Sequence, residues 1–293
     1  MRTDRPGLPA ADAAREVAPP AKKNAPDASA AFEPRVVATV KEWRALRASP
    51  DWAARSIGFV PTMGALHAGH EALLARARAE NERVVLSIFV NPTQFNDPTD
   101  LVRYPRTLAA DVALARPYVD AVFAPAAEEF YPDGYRYRVT ETELSRRWEG
   151  AHRPGHFDGV LTVVLKLFNV VRPDRAYFGE KDWQQLQLVR EMAHALMLPL
   201  EVIACPTVRA EDGLALSSRN QRLSPLGRAH AAAFPRVLRG ASDAEAAAAT
   251  LRGKGFEVDY VADVDGVRLG AVRLEGVRLI DNTPLNRSGA NLP

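Results

Sequence analysis

Two histidines three positions apart, His67 and His70, lie in the stretch Gly58-Phe-Val-Pro-Thr-Met-Gly-Ala-Leu-His-Ala-Gly-His70. An apolar run with the character of a strand precedes them and a run with helical periodicity follows. Imidazoles placed there can do nucleotide chemistry. The free N–H groups and positive dipole end of a helix N-terminus favour an anion such as a triphosphate, and two ring N–H groups on one turn can donate to its oxygens. Gly69 removes a side chain where a base or ribose must approach the backbone. The spacing alone carries limited weight, because a histidine at a helix start is about as often a polar cap as a ligand.

Three further loops carry chemical groups. Asn91-Pro-Thr-Gln-Phe-Asn-Asp-Pro-Thr-Asp100 offers the Gln94 amide, both donor and acceptor, which suits a substrate bearing hydroxyls and a carboxylate; the same loop could equally be turn-building. Phe178-Gly-Glu-Lys-Asp-Trp-Gln-Gln185 places Lys181 at the mouth of a helix, where an ammonium can neutralise phosphate charge, although a single lysine is usually solvated. Asp182 and Gln185 also have the spacing of a capping box. Arg209 to Asn220 ends in Leu216-Ser-Ser-Arg219, in which hydroxyls followed by a guanidinium make a phosphate grip; such a run by itself is more often a polar loop.

Strands alternating with helices must position these loops. Residues 36–40 and 41–48 read as strand then helix, 57–62 as a buried strand, 70–79 as an amphipathic helix, and 83–90 as a strand rich in valine and isoleucine. Residues 104–115 read as helix, 121–124 as a short strand, 159–171 as a buried helix, and 175–179 and 201–205 as strands. Leu186, Val189, Met192, Ala193 and Leu196 make one apolar helix face. The fold class is α/β, a Rossmann-like parallel sheet with helices on both faces, and such sheets bind ligands beyond the carboxyl ends of their strands.

Composition bounds the function. A net charge of +2 without long basic blocks argues against nucleic acid as a partner. The apolar run 160–171 is broken by Lys166 and is too short to span a membrane, so no membrane partner is expected. Cys205 is the only cysteine, which excludes an internal disulfide and a cysteine metal site and fits the cytoplasm. Residues 1–34, rich in alanine and proline and lacking apolar periodicity, read as a disordered extension rather than a signal or transit peptide.

Taken together, the segments Pro61-Thr-Met-Gly-Ala-Leu-His-Ala-Gly-His70, Phe89-Val-Asn-Pro-Thr-Gln-Phe95, Arg103-Tyr-Pro-Arg-Thr107, Arg153-Pro-Gly-His-Phe157, Phe178-Gly-Glu-Lys-Asp182, Gly213-Leu-Ala-Leu-Ser-Ser-Arg-Asn220 and Arg278-Leu-Ile-Asp-Asn282 resemble the pantoate-β-alanine ligase family of the His-x-Gly-His nucleotidyltransferases. The resemblance covers residues 35–282. It implies a two-step reaction in which ATP and Mg²⁺ convert (R)-pantoate to pantoyl adenylate with release of pyrophosphate, after which β-alanine attacks to give pantothenate and AMP. It implies that Met63, Gly64, His67, Gly69 and His70 lie along ATP, that His70 has an acid-like catalytic role, and that His67 and Lys181 act on the phosphates. Gly179, Glu180, Lys181 and Asp182 would bind nucleotide, and Val208 with Leu216, Ser217, Ser218 and Arg219 would close over it. Gln94 and Gln185 would hold pantoate, Gln94 also lying near β-alanine. Arg153 and His156 would help close the site. Mg²⁺ would be held mainly by ATP phosphates, its protein ligands unknown, and a homodimer is implied.

The implied organisation is an extension over 1–34, a nucleotide- and pantoate-binding domain over 35–206 and a smaller α+β lid over 207–293. Residues 225–239 read as one helix. The stretch 241–278 reads as shorter than the family's, with part of a strand or helix missing, and leaves 257–265 and 276–282 to pair with Asp265-Gly266 as a turn. Two alternatives stay open. A nucleotidyltransferase with another acceptor has no reason to keep Gln94 with Gln185, and a catalytically idle ATP- or pantoate-binding module has no reason to keep every motif.

Overall fold

A computed structural model describes residues 33–285 of the chain. Of the extension expected over 1–34, residues 1–32 lie outside the described residues. Glu33, just inside them, pairs with Arg116 at 2.8 Å.

The strands are β1 (Arg35–Val37), β2 (Ile57–Thr62), β3 (Arg83–Ile88), β4 (Ala121–Phe123), β5 (Arg175–Gly179), β6 (Glu201–Cys205), β7 (Glu257–Val264), β8 (Val267–Leu274) and β9 (Val277–Pro284). The first six form one parallel sheet in the order β1-β4-β3-β2-β5-β6. Alternation along each strand feeds two cores. Phe59 and Val85 pack on one face with Trp43, Phe168 and Leu186, while Val60, Val84 and Leu86 pack on the other with Leu74 and Ala115. The chain runs outward from β2 through β3 to β4, then returns and continues from β5 to β6 on the other side, so the winding reverses between β2 and β5. That reversal opens a crevice at the carboxyl ends of β2, β3, β5 and β6, where the four chemical loops leave the sheet.

Several element boundaries differ from the sequence reading. Val40 belongs to a helix, Val40–Arg47, because Thr39 accepts the Glu42 N–H at 3.1 Å and Glu42 reaches back to the Thr39 N–H at 3.2 Å, a capping box that ends β1 early. Residues 104–107 are not helical: Tyr104 precedes Pro105 and is extended, and the helix starts at Leu108. The buried helix begins earlier than expected, at His156, after Gly155 turns the chain with φ 79°. Asp182 makes no side-chain cap, so the capping box that its spacing from Gln185 would allow does not form. Leu196 lies just past its helix and is exposed rather than part of the apolar face. The single helix expected over 225–239 is two, Pro225–Ala231 and Ala233–Gly240, because Pro235 has no N–H to offer the Ala231 carbonyl.

The three C-terminal strands form an antiparallel sheet in the order β7-β8-β9. β7 and β9 therefore flank β8 instead of pairing with each other. The two-residue turns Asp265-Gly266 (φ 48° and 76°) and Glu275-Gly276 (φ 51° and 72°) make the meander. The stretch 241–278, read as shorter than the family's, holds the helix Ala244–Gly253, all of β7 and all of β8. β8 is hard to read because Gly270 and the buried Arg268 interrupt its alternation. Arg268 points inward because Asp263 takes two of its N–H groups at 2.7 and 2.9 Å and the Leu238 and Ala241 carbonyls take more.

One close approach ties the buried helix to the crevice. A Cβ on Gly159 would lie 2.4 Å from the Thr93 carbonyl oxygen, so only glycine lets the helix His156–Val171 touch the turn Pro92–Gln94. Gly159→Ala should lower unfolding free energy by about 1–3 kcal/mol, read as a reduced denaturant midpoint with an unchanged slope; an unaltered midpoint would show that the turn yields freely.

Candidate active site

β2 ends in Pro61-Thr62, and the Thr62 hydroxyl donates to the Ser87 carbonyl at 2.7 Å, fastening the strand end to β3. Gly64 (φ 83°) and Ala65 (φ 51°) then reverse the chain. The buried Asp111 carboxylate holds this reversal by accepting the Ala65 and Leu66 N–H groups at 3.0 and 2.8 Å and the Thr107 hydroxyl at 3.0 Å. Asp111 escaped the sequence reading because nothing in the order of residues says that an acidic side chain four places after a threonine turns inward.

His67 is the N-cap of the helix Ala68–Glu80. Its Nδ1 accepts the Gly69 N–H at 3.1 Å, and its own N–H donates to His70 Nδ1 at 3.3 Å. Both Nδ1 atoms are therefore acceptors, which puts the proton of each neutral ring on Nε2. The rings stand 4.1 Å apart between centroids. Burial, then His67 and Lys181, pushes His70 down to about 3, and burial with Lys181 also lowers His67. His70 is neutral at pH 7, a preset hydrogen-bond donor rather than a cation. A Cβ on Gly69 would sit 2.8 Å from His67 Cε1, so the glycine keeps the cap as well as the approach to the backbone.

The second loop is organised by Asn91, which is almost fully buried. Its Oδ1 accepts the Tyr131 hydroxyl at 2.8 Å and the Thr93 hydroxyl at 2.9 Å, and its Nδ2 donates to Gln94 Oε1 at 2.9 Å and to the Gly159 carbonyl at 3.2 Å. With Oε1 occupied, Gln94 presents its Nε2 donors. The Gln94 backbone carbonyl accepts from Arg153 Nη2 at 3.2 Å and from His156 Nδ1 at 2.8 Å. An arginine can only donate, so the 3.1 Å contact between Arg153 Nη1 and His156 Nε2 assigns the His156 proton to Nδ1. Burial, then Arg153, lowers His156 to about 3.

Lys181 follows β5, its Nζ 3.7 Å from Asp182. Asn282 of β9 donates to the Glu180 and Lys181 carbonyls at 2.8 and 3.0 Å and so sets this loop from the other sheet. After β6, Leu216 N–H donates to the Val208 carbonyl at 3.0 Å, forming a small hairpin that ends in Ser217, whose side chain accepts the Arg219 N–H at 3.3 Å. Arg209 secures the hairpin with a bidentate pair to Asp281 at 2.7 and 2.9 Å.

These loops enclose a cleft of about 250 Å³. Met63, Gly69 and both histidines form one wall, Gln94 and Gln185 another, and Gly179, Lys181 and Asp182 a third. Val208, Leu216, Ser217, Ser218 and Arg219 reach it from the far side, and Arg153 and His156 also line it. Gly64 and Glu180, expected as nucleotide-binding, do not line the cleft: Gly64 supplies the turn, and Glu180 offers its carbonyl to Asn282. A neighbouring cavity of about 350 Å³ shares Arg153, Lys181, Ser217 and Arg219 with it. Lys181, Arg153 and Arg219 bias the cleft toward an anion. Among the described residues no group of three or more histidine, cysteine or acidic side chains could cage a metal.

Comparison with known proteins gives one consistent result. The family described as pantoate-beta-alanine ligase matches residues 35–284. A pantothenate synthetase of Bdellovibrio bacteriovorus is 58% identical over 231 residues, 78% of this chain and 92% of the relative. One from Cereibacter sphaeroides is 53% identical over 281 residues, 86% of this chain and 100% of the relative. The crystal structure of a pantothenate synthetase from Thermus thermophilus superposes with a TM-score of 0.78 at 48% identity, covering 85% of this chain and 99% of that one. The Francisella tularensis pantoate-beta-alanine ligase, solved as a complex with beta-gamma ATP and beta-alanine, gives 0.81 at 39% identity over 86% and 97%. With six of its seven motifs contributing to one cleft and its fold shared with these enzymes, the chain belongs to the pantoate-β-alanine ligase family.

Proposed function

We propose that this cleft carries out the ATP-dependent joining of (R)-pantoate to β-alanine through a pantoyl adenylate, with residues 35–206 binding nucleotide and pantoate and 207–293 acting as the lid. The observation that carries the reading is the meeting of two neutral Nε2–H imidazoles and Lys181 with the amides of Gln94 and Gln185 in one pocket. Phosphate donors and carboxylate or hydroxyl donors are both needed when a carboxylate attacks the α-phosphorus of ATP.

The pantoate carboxylate is the nucleophile, so the protein's work is placement and charge stabilisation. Gln94 Nε2, aimed by Asn91, and Gln185 hold pantoate. The Nε2–H groups of His67 and His70 donate to phosphoryl oxygens as negative charge builds on them, which fulfils the acid-like role without a prior positive charge on His70. Lys181, Ser217, Ser218 and Arg219 bind the phosphate chain that leaves as pyrophosphate. A Mg²⁺ ion needs only one or two carboxylates beside phosphate oxygens and water, and Asp182, half-exposed at the cleft, fits that requirement. When bound, it supplies charge neutralisation to the departing pyrophosphate. Closure of the lid excludes water from the mixed anhydride until the β-alanine amine attacks its carbonyl carbon. The same reading places the enzyme in the cytoplasm as a homodimer, consistent with its lone, buried Cys205. Among the described residues no helix is long and apolar enough to cross a membrane.

Pyrophosphate release should depend on (R)-pantoate, pantothenate should form only with β-alanine, and His70→Ala should cut the rate by about 10² to 10³. Release without pantoate, or with a different acid only, would overturn the assignment.

The neutral histidines also fix a pH response. In the unfolded chain His70 and His156 titrate near 6.5, and in the folded protein near 3. Between those values the unfolded state binds more protons, so stability is complete above about pH 6.5 and declines as pH falls toward 3, by up to about 1.4 kcal/mol per pH unit for each ring. Denaturant unfolding between pH 7 and 5 should show this slope, and His156→Gln should make it shallower; equal slopes would mean that His156 is charged in the folded protein.

A further inference from the structure

The late motif Arg278-Leu-Ile-Asp-Asn282 forms part of β9, and along this strand alternate residues face opposite ways. Val277 and Leu279 are buried in the core beneath the small sheet, and Asp281 pairs with Arg209. The other face carries Arg278, Ile280 and Asn282. Asn282 holds the carbonyls of Glu180 and Lys181, as described above. Arg278 reaches a different part of the site.

Arg278 Nη1 donates to both carboxylate oxygens of Glu149, at 2.6 and 2.7 Å, and Nε donates to Asp259 at 2.6 Å. Glu149 lies in the helix Trp148–His152 and is buried. Its own N–H is held by Gln184 Oε1 at 3.0 Å. The same Glu149 carboxylate accepts Arg153 Nη1 at 3.1 Å, and Arg153 Nη2 then donates to the Gln94 carbonyl. An unbroken run of contacts thus connects the C-terminal sheet to the backbone of the residue assigned to pantoate. Burial alone would push the Glu149 carboxyl up; the Arg278 and Arg153 charges overcome this and hold it down, at about 2. The carboxylate is therefore ionised whenever the two guanidinium groups flank it.

We propose that Arg278 and Glu149 are positioning residues for the ligation: Arg278, through Glu149, sets the Arg153 guanidinium that fixes the Gln94 loop, so docking of the C-terminal sheet and formation of the pantoate subsite are a single event. The geometry separates the roles of the two β9 side chains. Asn282 acts on the lysine loop that meets phosphate, and Arg278 acts on the glutamine loop that meets the acid. Nothing in the chain of contacts from Arg278 to Gln94 passes through His67 or His70. A lid that only covered the nucleotide would need no such link to Gln94. The inference rests on the assignment of Gln94 to pantoate made above.

The test compares Arg278→Gln, Arg278→Lys, Glu149→Gln and Gln94→Ala with the wild-type enzyme. Steady-state pyrophosphate release gives kcat and the KM values for (R)-pantoate and ATP, and thermal unfolding gives the folded fraction. Arg278→Gln and Glu149→Gln should raise the pantoate KM by about 10- to 100-fold and leave the ATP KM close to its starting value. Arg278→Lys, which retains the cation, should recover part of the loss. If Arg278→Gln fails to fold, Arg278→Lys and Glu149→Gln carry the comparison. A fall in kcat that tracks lost folded protein with an unchanged pantoate KM would reduce the pair to a structural role and overturn the proposal. So would an equal rise in both KM values, the mark of general loss of the lid. Gln94→Ala separates the two levels of the argument: if it leaves the pantoate KM unchanged, the subsite assignment itself fails, whereas a raised KM there with silent Arg278 and Glu149 variants refutes only the coupling.

Discussion

At the N-terminus of the helix Ala68–Glu80, two backbone N–H groups are accepted by two imidazole nitrogens. These bonds satisfy donors that any helix start leaves open, which is an ordinary structural need. They also decide where the protons on the rings reside. Because each Nδ1 is engaged by the backbone, each Nε2 must donate, and the cleft receives two donors of fixed direction without an ionisation step. Burial makes the neutral state secure for His70, so the donor does not fade as pH rises through the neutral range. Gly69, Gly64 and Asp111 are best understood as what this arrangement requires: the first leaves room for the His67 ring, and the other two hold the turn that delivers the histidines to the carboxyl end of β2.

On the opposite side of the cleft, the molecule accepts the cost of burying ions. Glu149 stands between Arg278 and Arg153 with little access to water, and Asp259 takes the Nε edge of Arg278. Such a cluster adds little net stability compared with apolar packing, but breaking it by removing one partner costs about 3–5 kcal/mol. Its value lies in direction. A guanidinium has a rigid planar fork, so fixing one edge of Arg153 on a carboxylate fixes where its other edge points. His156, kept neutral, supplies a second donor to the same Gln94 carbonyl without adding charge to an already cationic wall.

Much of this was legible in the residues themselves. β2, β3, β5 and β6 are short apolar runs that end in turn formers, and the loops after them carry histidine, glutamine, lysine and serine in an order that the α/β topology must bring together. His67, Gln94, Lys181 and Arg219 were foreseeable at one cleft on that basis, and the family resemblance added Met63 and Gln185. What stayed hidden was polar and buried. Asp111, Tyr131 and Glu149 act through side chains that face inward, and a sequence cannot distinguish an inward carboxylate from the far commoner solvated one. β8 was concealed for the same reason, since Arg268 occupies an inward position only because Asp263 and two carbonyls are there to receive it. Gly64 and Glu180 neighbour residues that line the cleft, and what the structure shows of them is backbone geometry: Gly64 makes the turn and the Glu180 carbonyl accepts from Asn282.

The Glu275-Gly276 turn illustrates how far a constraint can lie from the chemistry it serves. Its two left-handed residues close the β8–β9 hairpin and pin Leu274 opposite Val277, which sets every later pair up to Val267 with Pro284. Side chains alternate with a period of two, so a slip of one residue would turn Arg278, Ile280 and Asn282 toward the core and bring Val277, Leu279 and Asp281 to the face that now meets Glu149 and the lysine loop. Neither turn residue lines the histidine cleft. The length of this turn is therefore a setting of the active site: the Glu275 side chain has a separate task in holding Ser224, but a change in the number of residues there would erase the second sheet's contribution while leaving every motif intact.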